Sequence, residues 1–411
     1  MFMSLYLDKL ISFLIFIGFS VFLVIPKGGI IILAILVLSI IGIFLNRNIK
    51  NNLDRWEKFL LVGFISYFLL IVISNYIFHG SIRDIDTASR FVLVIPIYLY
   101  LRKSNVHYKS VELGILLACI LFGINSILPR FFDLSQFFQF TKHTGIVSLY
   151  GAIIGVTSLF LVSKKKSSIY NFIILVCAFF GIATTLLAGG RGVWISAFLS
   201  FIILFYFNPS RWSKLEKVLI LYLGIIFSLM GYLVPETGVK GRIIKATNEL
   251  SGYYEEKNSS AVTSVGARLE MWKSSSYIFK ENPFFGVGEG NFKEKNIELI
   301  EKSLINTDIR TFNHPHSEFF TTLVEQGLIG LGILLFLFFN PLIKCYEVFK
   351  NKDVNNDSNI PLVLVMSLIL HYIFYSITNG VFDHQNTTLF FAAFVTIGMG
   401  IYSSMNEKGG V

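Results

Sequence analysis

The run SIYNFIILVCAFFGIATTLLAGGRGVWISAFLSFIILFYF, residues 168–207, decides the fold. Among its forty residues a single side chain is charged, Arg191. A helix needs about 20 apolar residues to cross the hydrocarbon core of a bilayer. This run holds two such lengths, parted only by Ala188-Gly189-Gly190-Arg191. Inside lipid the backbone must satisfy its own hydrogen bonds, which long apolar runs do as helices. The stretch therefore predicts two membrane spans joined by a tight turn that carries one arginine.

The same pattern extends along the chain. Further apolar runs lie at 10–26, 28–45, 58–78, 88–101, 111–128, 145–163, 217–234, 319–340, 360–378 and 386–403. The fourth of the twelve, 88–101, is short. The whole 411-residue chain is 54% hydrophobic and 15% charged, with 42 phenylalanines, whereas a soluble domain carries roughly 25% charged residues. A soluble enzyme and a disordered protein are both excluded. The expectation is an all-α polytopic membrane protein of about 12 transmembrane helices with one long outer loop containing short helices. Its parts would be residues 1–234 with nine spans, 235–318 as the loop domain and 319–411 with three spans. Asp8 and Lys9 precede the first run with no small-residue cleavage site after it, which reads as an uncleaved first span. Cys119, Cys177 and Cys345 have no metal-ligand spacing and suggest no disulfide framework.

Lysine and arginine set the orientation. With the N-terminus in the cytoplasm, inner segments hold 18 of the 35 basic residues, including Arg47, Lys50, Arg55 and Lys58, then Arg102, Lys103 and Lys109. Lys164 to Lys166, Arg211, Lys214 and Lys217, and Lys344, Lys350 and Lys352 continue the pattern. Short outer loops hold 6, and the remaining 11 fall in Pro235–Glu318. An even number of spans follows, with both termini inside. The formal charge of +9 thus reports topology and implies no nucleic-acid partner.

Pro235–Glu318 balances its 11 basic residues with 12 acidic ones. Val265, Leu269, Trp272, Ser276 and Phe279 recur at helical spacing, with Ser264 as a cap and Pro283 as a stop. Asn291–Leu304 reads as a second helix. Between them Phe285-Gly286-Val287-Gly288-Glu289-Gly290-Asn291-Phe292 is a tight turn. It does not complete a dinucleotide motif and no strand precedes it.

Chemistry-bearing residues concentrate on the outer side. Arg191 between two glycines reads either as an interfacial snorkelling arginine or as an anion clamp, the glycines letting a ligand approach the backbone. Arg268 lies on the first loop helix, and its value depends on what faces it. His314-Pro315-His316-Ser317-Glu318 stands where the loop returns to the membrane. An H-x-H pair can be a metal site, a surface pair or a general base; no further metal-ligand motif accompanies it, and an imidazole suits proton abstraction at neutral pH. Arg90 begins a span, as an anchor or as a second phosphate contact. Arg83, Asp84, Asp86, Lys142, His143, Asp383 and His384 are weaker outer candidates, and Asn258-Ser259-Ser260 matches a glycosylation sequon.

Four stretches, in order and on one side, carry a family likeness. They are Thr185–Trp194 with Gly189-Gly190-Arg191-Gly192, then Ser264-Val265-Gly266-Ala267-Arg268-Leu269-Glu270-Met271, then His314–Glu318, then Glu325-Gln326-Gly327-Leu328-Ile329-Gly330. Together with the twelve-span topology, the chain resembles the bacterial O-antigen ligases, within the wider group that includes O-antigen polymerases. Ser317 departs from the asparagine common in the family's H-x-H-N motif. The resemblance implies a GT-C type, inverting, metal-independent glycosyltransferase of the inner membrane without a cofactor, its active site on the periplasmic side. The donor would be an undecaprenyl-diphosphate-linked O-antigen, the acceptor a sugar of lipid A–core, and membrane lipids would hold both anchors. Arg191 and Arg268 would bind the donor diphosphate, with Arg90 as a further contact. His316 would deprotonate the acceptor hydroxyl, with His314 as its supporting neighbour. The Ser264–Met271 segment favours ligase over polymerase. A lipid-linked sugar transporter or flippase is the more distant alternative, but it would place ionisable residues mid-membrane in broken helices.

Overall fold

The computed structural model describes residues 2–22, 27–45, 52–132, 144–163, 165–207, 212–255, 263–351 and 359–408. Lys142, His143, the Asn258 sequon and the basic residues Arg47, Lys50, Lys164, Arg211 and Lys352 lie outside the described residues. Of the described residues 82% are helical, and no strand occurs among them.

The first half runs α1 (Phe2–Val21), α2 (Gly29–Leu45), α3 (Arg55–Phe78), α4 (Ile82–Leu93), α5 (Ile95–Leu101), α6 (Lys109–Phe131), α7 (Thr144–Leu159), α8 (Ser168–Ala188), α9 (Arg191–Phe207) and α10 (Lys214–Leu233). The expected outer segment contains α11 (Val239–Glu255), α12 (Ser264–Glu281) and α13 (Phe292–Glu301). The chain closes with α14 (Glu318–Asn351), α15 (Ile360–Ser376) and α16 (Gln385–Lys408). Among the described residues five helices are long and apolar enough to cross a membrane: α3, α6, α8, α14 and α16. Four shorter apolar helices, α2, α7, α9 and α15, accompany them.

Where described, the expected apolar runs are largely helical, but 88–101 is two helices meeting at Val94 and 319–340 is broken at Gly327. Pro96 sits in the first turn of α5, where its missing N–H costs nothing; deeper in a continuous helix it would break the ladder. The first loop helix also differs in detail. Its cap is Thr263, whose hydroxyl accepts from Gly266 N–H at 3.1 Å, and Ser264 is its first residue. It buries Ala267, Glu270, Met271, Ser274 and Ile278, while Ser276 is exposed. The buried face is rotated from the apolar stripe because its polar members find partners, as buried polar groups must. Glu270 accepts from Tyr253 O–H at 2.7 Å and Asn306 N–H at 3.1 Å, and Ser274 donates to Asn296 Oδ1 at 2.8 Å.

The centre of the bundle is the set of helices that are apolar all round, which is how a fully buried helix reads. α7 is buried from Ile146 to Ser158 and α15 from Ile360 to Tyr372 without interruption. Around them, α3, α8, α9 and α10 turn Ile73, Phe172, Phe198 and Leu221 outward, an apolar face suited to lipid. At the end opposite the loop helices, Arg102 is wholly buried. It pairs with Glu57 at 2.9 Å and Glu407 at 3.0 Å, while Tyr98 and Ser403 donate to the same Glu57. Removing one partner of such a pair costs about 3–5 kcal/mol, so this network locks α3, α5 and α16 together.

Candidate functional site

The turn between α8 and α9 is built around Gly189, at φ 82°. This left-handed conformation suits glycine, and a Cβ would stand 2.2 Å from the Arg242 guanidinium. Arg242, one turn into α11, donates from Nη1 to Gly189 O at 2.7 Å. Arg191 then opens α9. Its Nη1 lies 3.5 Å from Arg242 O and 3.7 Å from Glu249 Oε2. At each of the three glycines a Cβ would meet a protein side chain. Protein side chains take the space: Arg242 at Gly189, Ser148 at Gly190 and Thr378 at Gly192. What the glycines permit is close packing that sets the position of the Arg191 side chain.

Arg268 projects from the first turns of α12. Its Nη1 donates to Ser264 O at 3.1 Å, and its buried Nε has no partner among the described residues. Burial, and then the charge of Arg191, hold its pKa below the ordinary arginine value. The two arginines selected from sequence, 77 positions apart, therefore act on each other across space. Trp272, on the next turn of α12, donates from Nε1 to Pro315 O at 3.2 Å and stacks on Phe320 at 5.4 Å. That contact joins the arginine helix to the histidine motif.

The motif itself is held from below. Ser317 is buried and its hydroxyl donates to Ser376 O at 3.1 Å. Glu318 N–H donates to Asn379 O at 3.1 Å, and its carboxylate accepts from Phe382 N–H at 3.0 Å. With both neighbours pinned, His316 adopts φ 53°, one of three non-glycine residues with positive φ among those described. Such strain, kept by the surrounding structure, is characteristic of functional positions. The His314 and His316 rings lie 4.3 Å apart. Burial, His314 and Arg268, in that order, lower the His316 pKa to about 4, so its ring is neutral at physiological pH and able to accept a proton. His314 Nδ1 is 3.3 Å from both His316 N and Asp383 Oδ2. It cannot serve both at once: bearing a proton it faces Asp383, and without one it accepts from His316 N–H.

On the other side of the histidines the charge is negative. Glu289, Glu318 and Glu325 are gathered with Asp84 and Asp383. Glu289, in the loop before α13, is pushed above its ordinary carboxylate range by burial and then by Asp84 and Asp383. Gln326 Nε2 donates to it, as Glu325 accepts from Gly290 N–H at 3.0 Å. A break in α14 makes this possible. Gly327 (φ 65°, ψ −156°) interrupts the helix, and the Gly286 loop pairs with the break. Val287 N–H and Gly288 N–H donate to Val324 O and Glu325 O at 2.8 and 3.0 Å, and Leu328 N–H donates to Pro283 O at 2.8 Å. A Cβ at Gly286 or Gly327 would stand 2.4 Å from the opposing backbone. The turn and the helix motif, separate in the sequence reading, are one interlocked element.

Arg90 stands on this acidic side. Its fork is taken by Asp86 at 2.6 Å, which also accepts from Gln385 Nε2 at 2.6 Å. Among the described residues no hydrogen bond or ion pair links it to Arg191 or Arg268. Sequence reasoning passed over Arg242 and Glu249, because α11 itself was not foreseen. The signal was present: two basic residues, Lys240 and Arg242, in a first helical turn without an acidic one run against the helix dipole.

Comparison with known proteins places this region. Residues 176–335, from α8 through the break in α14, match the O-antigen ligase family model. Over 391 residues the chain is 27% identical to an uncharacterized protein of Haemophilus influenzae, covering 93% of this chain and 95% of that protein. It is 26% identical over 316 residues to an O-antigen ligase of Escherichia coli, covering 74% of this chain and 73% of the ligase. A ComP-specific O-oligosaccharyltransferase of Acinetobacter baylyi is 28% identical over 233 residues, 55% of this chain but 40% of that enzyme. The likeness read from four short motifs is thereby borne out: the chain is a membrane protein whose residues 176–335 are similar to the O-antigen ligase family.

Proposed function

We propose that this protein moves an undecaprenyl-diphosphate-linked polysaccharide onto a sugar hydroxyl of lipid A–core, at the periplasmic face of the bacterial inner membrane. In this reading the chain crosses twelve times with both termini in the cytoplasm. Residues 1–234 and 319–411 form the membrane parts and 235–318 the periplasmic part. The observation that carries the chemistry is a neutral, half-buried His316 within the field of Arg268, itself within the field of Arg191.

The roles follow from charge and proton movement. His316 takes the proton of the acceptor hydroxyl as its oxygen attacks the anomeric carbon. The bond from that carbon to the diphosphate oxygen breaks on the opposite face, inverting the centre. Negative charge collects on the departing lipid diphosphate, and fixed guanidiniums stabilise it without reorganising. Arg191 and Arg268 supply bidentate donors for this; Arg90, already engaged by Asp86, contributes only if the donor draws it away. The two steps are coupled. An anion on Arg268 offsets the positive field that depresses His316, so donor binding strengthens the base. His314 positions the His316 backbone when its Nδ1 is unprotonated and accepts from His316 N–H, and turns to Asp383 when that nitrogen bears a proton. No side chain in this scheme calls on a metal or a cofactor.

The test is transfer by the purified full chain from lipid-linked donor to three acceptors: lipid A–core, a second lipid-linked glycan and a folded protein. Product on lipid A–core supports the ligase reading. Chain growth on the second glycan would make the protein a polymerase, and glycosylated protein would align it with the Acinetobacter relative.

A further inference from the structure

Arg242 has chemistry that the proposed roles leave unused. One of its five N–H donors goes to Gly189 O, and it forms no ion pair among the described residues. Among the described residues, the charges that lower its pKa after burial are Arg130 and Arg191, both cations. The Arg130 and Arg242 side chains approach the same point, 3.4 and 3.8 Å from where a Cβ on Gly238 would stand. Gly238, at φ 69°, immediately precedes α11. Arg242 and Lys240 therefore sit at the positive end of that helix dipole, where an anion is favoured and a cation is not.

The nearby acid does not answer this charge. Glu249, two turns along α11, is buried, and neither carboxylate oxygen accepts a hydrogen bond among the described residues. It lies 3.7 Å from Arg191 and 3.9 Å from Lys245. Arg191 is the guanidinium nearest this carboxylate, Arg268 is within its field, and Arg242 has no ion pair with it. The positive excess is more than one ionised phosphate oxygen neutralises. A diphosphate esterified at both ends brings one such charge on each phosphorus.

We propose that Arg242, with Arg130 beside it, forms a second phosphate seat continuous with the Arg191–Arg268 pair, so that the site holds both phosphates of a lipid diphosphate. This rests on the donor-clamp reading and assigns the two phosphates to different arginines. The transferred sugar's phosphate lies by Arg268 and His316, and the lipid's own phosphate by Arg242 and Arg130. The α8–α9 turn, fastened by Arg242 to α11, is the bridge between the seats.

Binding to the full chain in phosphatidylcholine nanodiscs tests it, with farnesyl diphosphate and farnesyl monophosphate as probes. The diphosphate should bind wild type more tightly; Arg242→Gln should weaken both probes about tenfold, about 1.4 kcal/mol, because the monophosphate carries only the lipid's own phosphate, whereas Arg268→Gln should weaken the diphosphate and change monophosphate binding less than about twofold. Arg130→Gln should shift the diphosphate in the same direction, by less. No change in either probe with Arg242→Gln, or weakening of the diphosphate alone, overturns the assignment of the lipid's own phosphate to the second seat. Arg242→Lys, which keeps a donor for Gly189 O, decides the matter if the glutamine variant loses thermal stability: weaker monophosphate binding supports the seat, and wild-type monophosphate binding overturns it. Purified lipid A separates the other source of phosphate; weakening of lipid A alone by Arg242→Gln would give the seat to the acceptor and overturn the assignment. Arg268→Gln serves as the control on the underlying reading. If it leaves diphosphate binding intact while Arg242→Gln weakens it, the Arg268 clamp fails and the Arg242 seat stands.

Discussion

The outer end of this protein is divided by charge. On one side, the α8–α9 turn, α11 and α12 bring Arg191, Arg242 and Arg268 together with one buried carboxylate, Glu249. On the other, α4, the Gly286 loop, α14 and the segment before α16 bring together Asp84, Glu289, Glu318, Glu325 and Asp383. The two regions handle the cost of burying like charges in opposite ways. Carboxylates can take up protons or accept backbone and amide N–H groups, as Glu289, Glu318 and Glu325 do. Guanidiniums have no such outlet, since they stay charged and accept nothing. In the proposed reading the donor anion completes the basic side, while the carboxylates of the acidic side are met by N–H groups of the protein itself. His316 and His314 stand at the seam, the first tuned by Arg268 and the second paired with Asp383.

Breaking the seam should have the largest effect. His316→Ala should lower transfer by about 10²–10⁴-fold with donor binding retained; near-normal attachment of polysaccharide would remove His316 from the role of base. On the basic side, Arg268→Lys keeps the charge and loses the fork, and should cost about tenfold or more in donor KM or kcat/KM. Wild-type kinetics in that variant would mean that loop charge alone matters there.

The pH profile sharpens the comparison. Because the His316 pKa is lowered to about 4, the base stays deprotonated as pH falls through 6.5. The acid limb of kcat/KM, which reports the free enzyme, should lie well below pH 6.5. Arg268→Gln removes one of the depressing charges and should move the limb upward. The same shift sets stability: the unfolded chain takes up a proton on this histidine near pH 6.5 and the folded chain near 4, so its contribution is lost as pH falls between them. A limb at or above 6.5 in the wild type would show that the histidine is not held neutral by its surroundings. On the acidic side, Asp383→Asn should give the smallest change, a few-fold loss in kcat with donor KM intact. A loss as deep as that of His316→Ala would make Asp383 part of the proton path.

Much of this was legible before any coordinates. The apolar runs, the tight turn at Gly189–Gly190, the stop at Pro283 and the histidine motif all depend on near neighbours in the chain, and helices begin and end where those patterns do. The face buried by α12 was not legible, because Glu270 and Ser274 look solvent-facing until Tyr253, Asn306 and Asn296 arrive to satisfy them. Arg90 looked equivalent to Arg191 by its place at a membrane edge. What separates them is Asp86 one turn away on α4, against a turn of α11 that meets Arg191 from some fifty residues downstream.

Sequence by itself determined that the chain is a helical membrane protein, and which residue types stand at its outer end. Apolar burial and backbone satisfaction in lipid act locally, residue after residue, and composition records them directly. Only the tertiary structure decided which of those residues act on one another. Arg242 on Gly189, Arg191 on Arg268 and His314 on Asp383 join positions 53, 77 and 69 apart in the chain. Electrostatic coupling depends on distance and on the water excluded between charges, and neither is a property of sequence separation.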